Sequence, residues 1–273
     1  MGSDMKALQK YKRTYILALQ NEMEYRTDFL MSIISGGFII LVQCFLWTAV
    51  FRSSPQEIIN GYTYSQIIIY SVLSGVVSKL VSAGFEGEIA SDIKTGGLSK
   101  FIAQPIHYFS YRICNFFGGK TVQTAVVLVL FVILMIVFTQ IWEFQLRAGQ
   151  IVLFLVSILF GLLINFLLFY SISALAFIIT EVWGVFIAFN QGVYLLSGAI
   201  FPLNIFGDTF ARISSYLPFQ YVVYFPVKII NGSLTIHEIV PGLLVQAVWV
   251  IVLMIISKLS WDSGMKKYVA VGG

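Results

Sequence analysis

Residues 86–107 read EGEIASDIKTGGLSKFIAQPIH. They are the longest polar interruption between hydrophobic runs, so their placement decides how the rest of the chain is threaded. Phe85, Ile89 and Ile93 share one apolar edge, while Glu86, Glu88, Asp92 and Lys94 supply polar surface, the pattern of a short amphipathic helix. Gly96 and Gly97 can end that helix in a left-handed conformation. Residues 98–103 can resume helically before Pro105, which holds Gln104 extended. A solvated loop needs no such periodicity, whereas a helix that docks on something does.

The composition around this stretch is that of a membrane protein. Of 273 residues, 58% are hydrophobic and 11% are charged, whereas a soluble domain carries roughly 25% charged residues. The expected fold class is all-α, a single polytopic membrane domain over 1–273. Cys44 lies within a hydrophobic run and Cys114 near the start of another, so no disulfide is expected. Two histidines and two cysteines, widely scattered, give no metal cluster. The first apolar run is too long for a signal-peptide core and follows a charged segment, so no cleavable leader is expected.

Uncharged runs define the expected spans. They are 29–51, 58–78 (continuing to about 83), 121–142, 148–180, 182–207 and 239–257. About 20 apolar residues cross roughly 30 Å of hydrocarbon, so six spans are expected within 28–258. The fourth run exceeds what the bilayer needs and must tilt, protrude or begin with a loop. Before the spans, Leu8, Tyr11, Tyr15, Leu19 and Met23 recur at helical spacing, which predicts an amphipathic helix over 6–27 at the inner membrane surface. Residues 213–227 are uncharged but short and carry Pro218 and Pro226, so they read as re-entrant or outer helical pieces between spans five and six. Residues 259–273 form a tail.

Orientation follows the basic residues. Lys6, Lys10, Lys12, Arg13 and Arg26 precede the first span. Lys94, Lys100 and Arg112 lie between the second and third, with Lys79 and Lys120 at the helix borders, and Lys258, Lys266 and Lys267 follow the last. The other side has only Arg52, Arg147, Arg212 and Lys228. The positive-inside rule places both termini and 86–107 in the cytosol of a protein of the cell membrane. Trp47, Tyr62, Tyr64 and Trp142 then mark the outer aromatic belt, and Tyr108, Tyr111, Trp183 and Trp261 the inner one.

Motifs for chemistry are lacking. Gly119-Lys120-Thr121 looks like the end of a phosphate loop, but Cys114 stands where its first glycine is required. No acidic or basic residue falls in the middle of an expected span, as ion-coupled carriers generally need. His107 and His237 fall on opposite sides, and no nucleophile has an acid–base partner nearby. Small residues recur every four positions at Ser74, Ser78 and Ser82 and at Gly184, Ala188 and Gly192, spacing that favours close helix packing over pore lining. Gln43, Gln123, Asn165, Asn190, Gln191 and Gln246 are the polar residues within spans. Asn231-Gly232-Ser233 matches a glycosylation sequon and, in a bacterial protein, reads as a turn.

The ordered set of segments resembles the permease subunit of ATP-binding-cassette (ABC) transporters of the type-2 exporter family. The segments are 93–98 (IKTGGL) leading to Pro105-Ile106, 197–202 (SGAIFP), 217–219 (LPF), 225–227 (FPV), and the tail residues Trp261, Gly264, Lys267, Tyr268 and Gly272. The family often has an acidic residue where Gly97 stands and a Leu-Lys pair where Ala103-Gln104 stand. The resemblance implies a non-catalytic subunit that pairs with a second permease chain, like or unlike, on two cytosolic ATPase subunits that hold ATP and Mg. It also implies no nucleic-acid partner. It places a coupling helix within 86–104, with Glu86, Glu88, Ile89, Asp92, Ile93, Lys94, Gly96, Gly97 and Leu98 as contact candidates. Phe201, Pro202, Pro218, Phe219 and Pro226 would form an outer gate. Ser74, Ser78, Asn165, Gly184, Asn190 and Gln191 would serve helix packing or the pathway. A self-sufficient carrier or channel, and a membrane scaffold or immunity protein, are the alternatives.

Overall fold

Where side chains are apolar all round and charges are absent, the chain can satisfy its backbone in lipid only by closing helical hydrogen bonds on itself. The computed structural model describes residues 2–24, 26–104, 106–142 and 148–268. Its helices are α1 (Gly2–Glu24), α2 (Arg26–Ser53), α3 (Tyr64–Val81), α4 (Glu86–Lys94), α5 (Ser99–Ala103), α6 (Tyr108–Trp142), α7 (Ala148–Ser173), α8 (Trp183–Leu196), α9 (Asp208–Ser215), α10 (Tyr224–Ile230) and α11 (Ile236–Met265). Short 3-10 turns cover Ala174–Phe177, Leu203–Phe206 and Phe219–Tyr221. The protein is an all-α polytopic membrane protein.

Five helical stretches among the described residues are long and apolar enough to cross a bilayer: Met31–Ser53, Tyr64–Lys94, Tyr108–Ile141, Gly149–Phe177 and Ile236–Met265. The expected fifth run, 182–207, forms only α8, whose 14 residues reach about 21 Å at 1.5 Å per residue. The chain then turns at Gly198, φ 79°, and enters the Leu203–Phe206 turn. An added Cβ at Gly198 would lie 2.9 Å from the Tyr224 Cβ, so the break depends on glycine.

The second run starts later than its lack of charge implies. Residues 58–63 form a two-stranded hairpin, β1 (Ile58–Ile59) against β2 (Tyr62–Thr63), in the register Ile58 to Thr63. Asn60 and Gly61 both have positive φ, 49° and 82°, as a type I′ turn requires. Thr63 and Gln66 then form a capping box that begins α3. The third run starts earlier. α6 has 35 residues, about 52 Å, because Arg112 and Lys120 find partners inside the fold and do not end the helix. Gly119-Lys120-Thr121 lies within its continuous turns, which no phosphate loop could occupy.

The core runs from α3 through α4, α6, α7, α10 and α11, and Tyr70, Leu73, Ile89, Phe154, Phe166 and Tyr170 are its most enclosed large residues. The best apolar window of the α3 stretch is 61% buried and that of α2 only 11%, so α3 is central and α2 peripheral. Buried amides stitch the helices together. The Gln246 amide donates to the Ser157 and Tyr221 carbonyls at 3.1 and 2.8 Å, and the Asn165 amide donates to the Val81 carbonyl at 2.6 Å. Cys44 and Cys114 are free thiols.

α1 packs on protein along one face. The Tyr15 and Thr121 hydroxyls meet at 2.6 Å, and the His107 N–H donates to the Tyr11 hydroxyl at 3.3 Å. Gly118 lets the two helices touch: a Cβ there would sit 2.5 Å from the Tyr15 carbonyl oxygen and 2.8 Å from the Ala18 Cβ. Ile16, Leu17 and Met23 stay exposed, an apolar strip that no helix of the chain covers among the described residues. Gly118→Ala is expected to destabilise the fold by about 1–3 kcal/mol through overpacking and to speed hydrogen exchange across α1. Gly119→Ala, whose Cβ would meet only the flexible Glu22 side chain at 3.4 Å, should leave exchange unchanged. Equal exchange rates in the two variants would refute this packing.

Candidate functional site

α4 has only nine residues, too few to be stable alone in water. Glu86 and Glu88 in its first turn and Lys94 in its last suit the helix dipole, but packing holds it. Ile89, Ala90 and Ile93 are buried, so the apolar edge of 86–107 faces inward. Phe85 sits between Phe116 of α6 and Phe166 of α7, at ring distances of 5.5 and 4.9 Å. The helix ends with Gly96 at φ 76°, and the Leu98 N–H returns to the Asp92 carbonyl at 3.1 Å. An added Cβ at Gly97 would lie 2.8 Å from an Asp92 carboxylate oxygen. Glycine at position 97 is thus matched to a turn folded against a carboxylate.

Arg112 binds this element to α6. Its guanidinium is 5% exposed and donates to Glu88 and Asp92, each at 2.5 Å. Its Nε donates to the Tyr108 hydroxyl at 2.9 Å, and that hydroxyl donates to Asp92 at 2.8 Å. Tyr108 stacks on Trp261 of α11, centroids 4.8 Å apart and planes 14° from parallel, and takes the edge of Phe101 at 4.9 Å. The Lys94 ammonium donates to the Thr180 carbonyl, and the Ser99 and Tyr268 hydroxyls meet at 3.3 Å. Residues 86–103 are therefore tied to the ends of α6, α7 and α11 together.

The candidate contact residues fall into two groups. Ile89, Ile93 and Leu98 are buried and Asp92 belongs to the clamp, whereas Glu88 and Lys94 are exposed and Glu86, Gly96 and Gly97 are partly exposed. The outward face also carries Ser91, Thr95, Lys100 and Ile102, the last 62% exposed. Sequence reasoning missed Arg112, which was counted only as part of the basic bias. An arginine one turn into a helix, opposite two carboxylates four residues apart, was the available signal.

At the other end of α3, the proposed gate residues lie in a closely stitched cap. Phe201 meets Trp47 edge-on at 5.9 Å, and Pro202 and Pro218 each precede a 3-10 turn. Phe219 opens the second turn, and Pro226 is buried in the first turn of α10. The Tyr62 hydroxyl donates to Asn204 at 2.8 Å, and burial raises its pKa. The Tyr70 hydroxyl donates to the Gly198 carbonyl at 2.6 Å, and Tyr224 N–H donates to the Ser197 carbonyl at 2.9 Å. Asn231 and Gly232 form a turn in which the Ser233 N–H bonds the Asn231 side chain at 3.0 Å.

The packing or pathway candidates also separate. The Ser74 hydroxyl donates to the Ser71 and Ala199 carbonyls, both at 3.1 Å, so it serves packing. Ser78, Asn165 and Asn190 line one cavity of about 270 Å³ between α2, α3, α7 and α8. Gly184 and Gln191 are exposed, and nothing lies within 4 Å of a Cβ built at Gly184. Among the described residues, no three His, Cys, Asp or Glu side chains group as metal ligands.

A model of the ABC-2 family transporter proteins matches residues 38–272, most of the chain. The chain belongs to the ABC-2 family of transporter proteins. No curated protein and no solved structure matches it. Membership makes it a transport permease, a membrane component of a kind that associates with ABC ATPases. In this ABC-2 permease, Arg112→Ala is expected to cost about 3 kcal/mol, the low end for a broken buried pair, because the Glu88 side chain is 60% exposed. Arg112→Lys keeps the charge without the two-pronged geometry and should fall between. Hydrogen exchange within α4 reads the effect, and unchanged protection in Arg112→Ala would remove the clamp from the account.

Proposed function

We propose that this permease forms half of the translocation pathway of an ABC exporter and that α4 and α5 receive the force of separate ATPase subunits. One observation carries the proposal: 86–103 presents an exposed face on one side while Arg112 and the aromatic cluster hold its other side to three membrane helices. A load on α4 would pass into α6, α7 and α11 without a long linker. The basic bias supports a cytosolic position for this face and for both termini. ATP and Mg belong to the partner subunits, and the chain itself is non-catalytic. α8, completed by 197–206, serves as the fifth of six crossings, and the cap around Phe201, Pro202, Pro218, Phe219 and Pro226 serves as the outer gate.

A second permease chain is part of the proposal. Asn190 and Gln191 are exposed on α8, and unpaired amides are costly against lipid tails. Gly36 and Gly37 of α2 and Gly184 and Gly192 of α8 have nothing within 4 Å of a built Cβ. Small residues beside polar ones favour a facing helix over lipid.

Two measurements test the assembly. Substituting only outward residues, Ser91→Arg with Ile102→Glu, should reduce co-purification of the ATPase and stimulated ATP hydrolysis about tenfold while leaving the fold intact; undiminished association would refute the coupling role. In a background without Cys44 and Cys114, Gln191→Cys should cross-link two permease chains. Its absence in an assembled, active transporter would move the partner chain to another face.

A further inference from the structure

The cavity between α2, α3, α7 and α8 contains polar groups that the fold leaves unused. Asn165 is 4% exposed, and its amide nitrogen is satisfied by Val81, but its side-chain oxygen has no hydrogen-bond partner. The Ser78 hydroxyl is also buried without a partner. Both residues line the cavity, as does Lys79. The Lys79 carbonyl accepts from the Ser82 hydroxyl at 3.1 Å, but among the described residues its ammonium has no hydrogen-bond acceptor and no carboxylate within ion-pair distance. Its neighbour Lys120 differs: that ammonium donates to Ser82 at 2.8 Å and Gln123 at 2.7 Å. Buried polar groups without partners are costly, and five other buried side-chain atoms among the described residues share that state, but these two line one cavity beside an unpaired ammonium, where a single occupant serves all three.

Its walls describe that occupant. A lysine and a hydroxyl present donors to an anion, and the Asn165 oxygen requires a donor in return. Ile39, Ile40, Phe169 and Val193 make the remaining wall apolar. We infer that this cavity binds the headgroup of an anionic amphiphile, a phosphate or carboxylate that also carries a hydroxyl or amine, with its tail running along the α2 and α8 side. The anion pairs with Lys79 and Ser78, the donor meets Asn165, and the tail replaces lipid against the apolar wall. As a statement about the cargo path, the inference rests on the permease reading; as a binding site, it stands without it.

Native mass spectrometry of the full chain in neutral detergent, titrated with dodecyl phosphate, tests the site. One bound adduct is expected, weakened about tenfold or more by Lys79→Gln, as loss of a charge-assisted bond implies, and retained by Lys79→Arg. Ser78→Ala removes a hydroxyl without a partner and should preserve the fold while weakening binding about threefold. Equal binding by wild type and Lys79→Gln overturns the site, as does competition by inorganic phosphate as strong as that by dodecyl phosphate. Two further arms give the source. If phosphatidylglycerol, and not phosphatidylcholine, displaces the probe from wild type, the site holds a bilayer lipid. If neither displaces it, the site holds an amphiphile supplied as cargo. Lys79-dependent binding in a chain that fails to assemble with any ATPase would refute the permease reading and leave the site standing, whereas Lys79-independent binding in an assembled transporter would refute the site alone.

Discussion

The clamp of Arg112 on Glu88 and Asp92 is the contact on which this end of the architecture depends. An enclosed guanidinium is costly unless its donors are matched, and here Nε, NH1 and NH2 each have an acceptor. The acceptors lie on a nine-residue helix with little stability of its own. The requirement is therefore mutual: α4 needs the arginine to stay folded in place, and α6 needs the two carboxylates to carry a charge one turn from its start. Tyr108 extends the contact, because its hydroxyl serves Asp92 while its ring stacks on Trp261. A displacement of α4 cannot remain local. It either breaks a charge-assisted network or moves α6 and α11 with it.

The rigidity of α6 makes the second outcome the easier one. Thirty-five residues in continuous helix reach about 52 Å, more than a bilayer's hydrocarbon thickness. Its first turns lie between α1 and α4. Gly118 brings α1 so close that a methyl group would not fit. The three helices form a block at this end, and a block of packed side chains shifts between discrete arrangements more readily than it deforms.

Much of this was legible in the sequence, and the gaps have physical causes. Uncharged runs located α2, α7 and α11 because lipid admits little else. The same count misplaced the starts of the second and third spans. It absorbed residues 58–63 into a span, although Asn60-Gly61 is a strong hairpin signal, since a count of charges ignores turn chemistry. It began the third span only after Lys120, because composition cannot show that a charge has found partners. It extended the fifth run to 207, where Gly198 turns the chain. The 86–107 stretch was read correctly as helix, Gly-Gly break and short helix, but which face it buries depends on Phe116, Phe166 and Arg112, which lie up to eighty residues away. Of the pathway candidates, Ser78, Asn165 and Asn190 share one cavity and Ser74 does not, a division set by helix rotation and invisible in their spacing.

The polar residues of the membrane region complete the physical account. On the side formed by α7, α10 and α11, the buried amide nitrogen of Gln246 is shared between two carbonyls, and the serines at 171 and 257 bond each other at 2.8 Å. On the side of α2 and α8, Ser78 and the Asn165 oxygen go unpaired, Asn190 and Gln191 are exposed, and glycines stand open. Unmatched buried atoms occur on both sides, with the Ser157 and Tyr170 hydroxyls and the Gln246 oxygen on the first. What distinguishes the second is that its unmatched groups line one cavity beside Lys79 and adjoin exposed amides and open glycines. On that side an occupant of the cavity, or a helix covering α8, supplies contacts that the chain alone does not.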